Sequence, residues 1–131
     1  MTIQAYRRHF QARLQKSFER REACRLQVLR TALAAFPSAI AMFPSVQRAY
    51  LFGSVTRAGA FGVESDIDVA VEGTTAEDYF ALWAELERIL PDVVIDVREI
   101  TPDSLFGQRV HKTGILLYER RDPPPTSRNP G

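Results

Sequence analysis

Apolar residues recur at steps of three and four from the start of the chain. Ile3, Tyr6, Phe10, Leu14 and Phe18 form one run, and Leu26, Leu29, Leu33 and Phe36 form a second. This spacing predicts a long helix with a single apolar stripe. Pro37 and Pro44 punctuate it, so the pattern predicts a helix end near Phe36 and a short turn over Ser38 to Phe43. The pattern then changes. Val46 to Phe52 reads as a strand broken by Gly53, Ser54 opens a short helical turn, and Gly59 and Gly62 flank a loop. Asp66 to Val71 reads as a second strand. Thr75 with Asp78 has the form of a helix N-cap, and Tyr79, Leu82, Trp83, Leu86, Ile89 and Leu90 supply the apolar face of the helix that Pro91 ends. A third strand at Val93 to Val97, a helix from Pro102 to about Thr113 and an edge strand at Ile115 to Tyr118 complete the order. The expected fold class is α+β: a small mixed sheet with helices packed on it, preceded by a long helix. The expected division is a helical extension over residues 1–44, a core over 45–118 and a disordered, proline-rich tail over 119–131.

The first half of the helical stripe is long for so small a domain, so residues 3–20 either pack on the sheet or meet a second protein or a second copy. Net charge is +1, but residues 1–35 hold eight Arg or Lys against Glu19 and Glu22, while residues 51–103 hold three Arg against twelve acids. The acidic half is where a cation belongs; the basic half suits an acidic partner. Few aromatic residues are interleaved with these arginines, and scattered charge on a helix is usually a solvated face, so nucleic acid is not the expected partner. No apolar run reaches the roughly 20 residues a bilayer requires, and the N-terminal stretch is too polar for a secretory signal. The lone Cys24 sits in a helical pattern and reads as packing; with these features the expected location is the cytoplasm. His9 and His111 read as surface or structural residues, and Tyr118 as an anchor at a strand end.

Asp66 and Asp68 interrupt an apolar strand. Residues two apart in a strand share a face, so the two carboxylates project together while Ile67, Val69 and Val71 fill the other side. Asp96 interrupts the third strand in the same way. If the two strands are neighbours, three carboxylates meet, and like charges so close require a cation to stay ionised. Mg²⁺ prefers such oxygens and leaves room for phosphate, and two such ions can flank a phosphoryl transfer. Gly53 lets backbone approach a ligand, Ser54 adds a hydroxyl, and Arg57 offers a bidentate donor to phosphate. Taken singly, each feature has an ordinary explanation: an exposed strand charge, a turn, an edge-strand gatekeeper. Their order along the chain is what points to a metal-bound nucleoside triphosphate.

The set Leu51-Phe52-Gly53-Ser54, Arg57, Ser65-Asp66-Ile67-Asp68 and Asp96 resembles the DNA polymerase β-like nucleotidyltransferase superfamily, and within it the minimal nucleotidyltransferase (MNT) antitoxins of HEPN-type toxins. The resemblance covers about residues 45–118. The eleven residues from Val55 to Ser65 are one more than is usual there, a change that costs little, and Ala58 stands where Gly commonly follows the Arg. The resemblance implies that Gly53, Ser54 and Arg57 bind the nucleotide, that Asp66, Asp68 and Asp96 bind two Mg²⁺ ions, and that Asp96 also helps take the proton from the attacking hydroxyl. The implied activity is AMP transfer from ATP to a partner protein, a HEPN-type toxin whose modified tyrosine silences it. Nothing after Tyr118 supplies an acceptor domain, so the acceptor surface is expected from a partner. The alternatives are a module that neutralises its partner by contact alone, and a transferase acting on a small molecule.

Overall fold

The computed structural model describes residues 1–62 and 65–121; the expected disordered tail falls almost wholly outside that range. Helix α1 spans Ile3–Ala41, capped by the Thr2 hydroxyl, which accepts from the Ala5 N–H. Strand β1 (Arg48–Phe52) runs into a 3₁₀ turn at Gly53–Thr56, and strand β2 follows at Ile67–Glu72. Helix α2 (Ala76–Ile89), strand β3 (Ile95–Glu99), helix α3 (Leu105–Thr113) and strand β4 (Ile115–Glu119) complete the fold. The sheet order is β3-β2-β1-β4. β1 is antiparallel to β2 and β4, and β2 is parallel to β3, so the sheet is mixed.

The alternation along the strands divides the sheet cleanly. Ala49, Leu51, Ile67, Val69, Val71, Ile95 and Val97 are buried under α2 and the second half of α1, where Val28, Ala32, Phe36 and Ile40 close the core. On the other face α3 covers Tyr50 and Ala70 through Val110, with Ile100, Phe52 and Phe106 beside them. The predicted N-cap of α2 is present: the Asp78 N–H donates to the Thr75 hydroxyl, and the Asp78 carboxylate accepts from both the backbone and the hydroxyl of Ser45.

Three sequence expectations are corrected. The helix break at Pro37 does not occur, and α1 continues to Ala41. A proline inside a helix costs about 3 kcal/mol, but Phe36 and Ile40 on either side are fully buried, each contributing roughly 1.5–3 kcal/mol. Only the first half of α1 is therefore an extension; the second half is core. Cys24 is exposed rather than packed, and it borders a hollow of about 320 Å³ lined also by Ser17, Arg20, Arg21 and Phe61. The folded core also reaches past Tyr118: β4 includes Glu119, and the Arg120 guanidinium donates to the Val46 and Phe43 carbonyls while lying 5.8 Å from the Tyr118 ring. No helix among the described residues is long and apolar enough to cross a membrane.

Candidate active site

Register brings the acidic residues together. Phe52, Asp68 and Asp96 are direct partners across β1, β2 and β3, and the next row on the same face is Tyr50, Ala70 and Arg98. The neighbours of both aspartates in sequence (Ile67 and Val69, Ile95 and Val97) are buried on the opposite face, so alternation turns Asp68 and Asp96 to one side of the sheet. Asp66 stands one residue ahead of β2 and is exposed. Asp68 is half-buried, and burial pushes its carboxyl above the usual carboxylate range; the charges of Asp96 and then Asp66 push it further, while Arg98 draws it back. All three carboxylates therefore share one electrostatic site.

Gly53 opens this site. Its φ of +78° is one that side-chain-bearing residues rarely adopt, and a β-carbon there would lie 2.3 Å from Asp68 Oδ2. Only glycine lets the turn and the carboxylate coexist. Ser54 follows, half-buried, its carbonyl accepting from the Arg57 N–H at 3.1 Å. Arg57 ends the turn in extended backbone with its side chain exposed.

Several residues that hold the site carry no local motif. The Thr56 hydroxyl donates to the Gly53 carbonyl at 2.7 Å, locking the turn. Arg25, buried on α1, donates to the Val55 carbonyl at 3.0 Å and pairs with Glu22. Glu22 in turn accepts from the Gly59 N–H at 2.6 Å. Its carboxyl is held below the ordinary range, first by Arg25 and then by that N–H. The turn and the first part of the lengthened loop are thus fastened to α1; positions 63 and 64 of that loop lie outside the described residues. On the far side, Trp83 Nε1 donates to the Ile95 carbonyl at 2.8 Å and the Tyr79 hydroxyl donates to the Val97 carbonyl. Both carbonyls flank Asp96 on an edge strand, so α2 satisfies backbone groups that would otherwise be left open and fixes the strand that presents Asp96. Arg98 completes the patch, its Nε 3.2 Å from Asp96 Oδ2.

Among the described residues, no three His, Cys, Asp or Glu side chains already form a cage for a metal ion. The donors nevertheless suit one. The set is entirely carboxylate, the charges of Asp96 and Asp66 act on Asp68, and the glycine turn lies directly against Asp68 Oδ2. Mg²⁺ is usually held by one or two carboxylates together with substrate phosphates rather than by a full protein cage, so the residues fit.

At the far end of the same face, Glu72 is buried and holds Arg48 Nη1 at 3.1 Å together with His111 Nε2, whose ring lies 4.9 Å from that of Tyr50. His111 is thus a structural partner that ties α3 to β2, and His9 is exposed. Tyr118 packs, partly buried, against the core.

Comparison with known proteins bears on this geometry. The family model for polymerase β, nucleotidyltransferase, matches residues 38–123, well over half of the chain and all of the site. No curated protein matches. Similar solved structures include a chain of a toxin–antitoxin with AMP-PNP, 26% identical with a TM-score of 0.49, covering 65% of this chain and 74% of that one. Another is a chain of the tri-AMPylated Shewanella oneidensis HEPN toxin in complex with MNT antitoxin, 23% identical with a TM-score of 0.45, covering 68% of this chain and 74% of that one.

Proposed function

We propose, from the premise that this chain belongs to the polymerase β nucleotidyltransferase family, that it transfers AMP from ATP to a hydroxyl on a partner protein in a Mg²⁺-dependent reaction. The observation that carries this reading is the pairing of Asp68 with Asp96 beside a glycine turn against which the Asp68 carboxylate packs. Asp66, Asp68 and Asp96 would hold Mg²⁺, which supplies positive charge against the phosphates when bound. Gly53 and Ser54 cradle the triphosphate and Arg57 reaches its outer oxygens. The acceptor oxygen bonds to the α-phosphorus, the bond from that phosphorus to the bridging oxygen breaks, and pyrophosphate leaves. Asp96 accepts the hydroxyl proton. The residues act chiefly by positioning and by matching developing charge.

The proposed partner is a HEPN-type toxin, silenced by the modification. That part rests on the resemblance carried by Leu51 to Ser54, Arg57, Ser65 to Asp68 and Asp96. Incubation with labelled ATP, Mg²⁺ and the purified partner tests the whole reading. Label on the partner, lost in an Asp66→Ala/Asp68→Ala variant, supports it; no label, or equal label from the variant, rejects it.

One observation favours a second reading, neutralisation by contact alone. Ile3, Tyr6, Phe10, Leu14 and Phe18 on α1 are all exposed, from 74% at Ile3 to 40% at Phe18, and such a stripe marks an interaction surface. A variant lacking all three aspartates that still neutralises the toxin in cells would establish that contact suffices.

A further inference from the structure

The outer half of α1 precedes the family domain. Its exposed apolar stripe runs by threes and fours straight into Arg25, Val28, Ala32 and Phe36, which are buried. The exposed and the buried parts of the helix therefore face the same way, and the domain rises from the stripe's own side to form a corner. At that corner Phe18 meets the loop: a β-carbon on Gly59 would lie 3.2 Å from Phe18 Cε2. Two hollows lie along α1 there. One, of about 320 Å³, is bordered by Ser17, Arg20, Cys24 and Phe61; the other, of about 420 Å³, shares Ser17 and Arg20 and reaches Phe10 and Leu14. Together they make a trough beside the helix. From Phe10 to Cys24 it extends roughly 21 Å, about four helical turns.

Charge along the trough is one-sided. Arg13, Lys16 and Arg20, spaced three and four apart, form an exposed row on one flank, while Gln11 and Gln15 hold the other. Among the described residues none of these three cations has a carboxylate within ion-pair distance. Over residues 3–21, six Arg or Lys stand against Glu19 alone. A second copy laid along this helix would bring the same row of like charge against it, which disfavours self-pairing. A basic amphipathic helix also suits an anionic bilayer, but a bilayer is flat. The domain on the stripe's own side would meet it before Leu14 and Phe18 could. An α-helix, about 10 Å across, fits the corner, and carboxylates along one of its flanks would meet the basic row.

We propose that this trough receives an acidic amphipathic helix of a partner protein, its apolar face on Phe10 and Leu14 and its carboxylates against Arg13, Lys16 and Arg20. The inference rests on the contact reading of the α1 stripe and gives that partner a chemistry; it does not depend on AMP transfer. Its signature is a charge preference carried by three residues that contribute nothing to the core.

The test uses the full chain and two synthetic 21-residue helices with the same leucine stripe, one flanked by Glu and the other by Lys. Fluorescence anisotropy measures affinity. Cys24, the chain's only cysteine and exposed, reports seating, because a helix in the trough slows its alkylation by a maleimide. Wild type should bind the acidic helix about ten-fold or more tightly than the basic one, with a preference that shrinks as salt rises. Arg13→Glu/Lys16→Glu/Arg20→Glu should reverse the preference, and Phe10→Gln/Leu14→Gln should weaken both helices. All five positions are surface, so melting temperatures should stay near wild type. Equal affinity for the two helices, no binding of the acidic one, unaltered Cys24 reactivity or an unreversed preference in the triple variant overturns the proposal. So does tighter binding to phosphatidylserine vesicles or to single-stranded RNA than to the acidic helix, or a dimer in sedimentation that the helix does not dissociate. If Phe10→Gln/Leu14→Gln binds both helices as wild type does, the contact reading of the stripe fails as well; if it weakens both but wild type shows no preference, this inference alone fails.

Discussion

Gly53 and Asp68 occupy space that neither could share with a larger neighbour: a β-carbon on the glycine would sit 2.3 Å from the aspartate's Oδ2, and the glycine's φ is +78°. Gly53→Ala must therefore move either the turn or the carboxylate. The left-handed conformation alone costs an alanine about 1–2 kcal/mol. A modest drop in melting temperature with a fall in transfer activity of about a hundred-fold or more is expected, measured by calorimetry and by label transfer. Activity near wild type would mean that the turn does not serve the nucleotide.

Asp68 carries a cost to the fold. Burial and two neighbouring acids raise its pKa above the ordinary 3.8. The folded protein therefore binds that proton more tightly than the unfolded chain does. The penalty is fully present above the raised folded pKa, declines as pH falls through it, and vanishes below the unfolded value. Asp68→Asn should thus stabilise the metal-free protein at neutral pH, by about 1 kcal/mol or less given the partial exposure, and give no benefit in strong acid. Unfolding titrations across that range check the sign, and label transfer should be abolished.

Arg25 holds the active-site loop from a distance in sequence. Arg25→Met keeps much of the apolar stem but leaves the Val55 carbonyl and Glu22 without their donor. The expected loss is about 2–3 kcal/mol, with faster amide exchange over residues 55–60 than elsewhere. Uniformly faster exchange would mean that Arg25 supports the core in general and not this loop in particular.

Trp83→Phe removes the donor to the Ile95 carbonyl. A loss of about 1 kcal/mol is expected, accompanied by weaker Mn²⁺ binding as β3 loosens beside Asp96. Unaltered Mn²⁺ affinity would show that α2 stabilises the sheet edge without setting the position of that carboxylate.

Much of this architecture was legible from the sequence because it rests on local periodicity. The strands and the Thr75 cap follow from spacing, since alternation is a property of any strand; the shared face of Asp68 and Asp96 follows only once β2 and β3 are neighbours. What escaped depends on partners remote along the chain. Pro37 reads locally as a stop, yet α1 passes through it because Phe36 and Ile40 find a core that no window of sequence displays. Arg98 reads as one more strand charge until register sets it beside the acids. Arg25 and Glu22 read as solvated helix charges, although they grip Val55 and Gly59 some thirty residues on. The buried Glu72 and its partner Arg48 carry no visible signal, and His111 reads only as a surface or structural residue. Cys24 reads as packing yet is exposed, because a helix bearing an apolar stripe need not be covered along its whole length.

The exposed stripe on α1 gives a further expectation. Tyr6→Gln, Phe10→Gln and Leu14→Gln combined should leave the melting temperature nearly unchanged, because each position is surface, and should abolish co-purification with the partner. A large loss of stability instead would place that stripe against a second copy of the chain.

That same half-helix sets a question of reach. From Ile3 to Arg25, where α1 grips the loop, an α-helix extends roughly 33 Å. A protein clasped at the outer end of such a spar cannot offer a rigidly adjacent hydroxyl to Asp96. Under the proposed transfer it would have to be large enough to drape back along the spar or carry its target on a pliant strand of chain long enough to cross the gap, so the anatomy of the grip would limit which side chains could be modified.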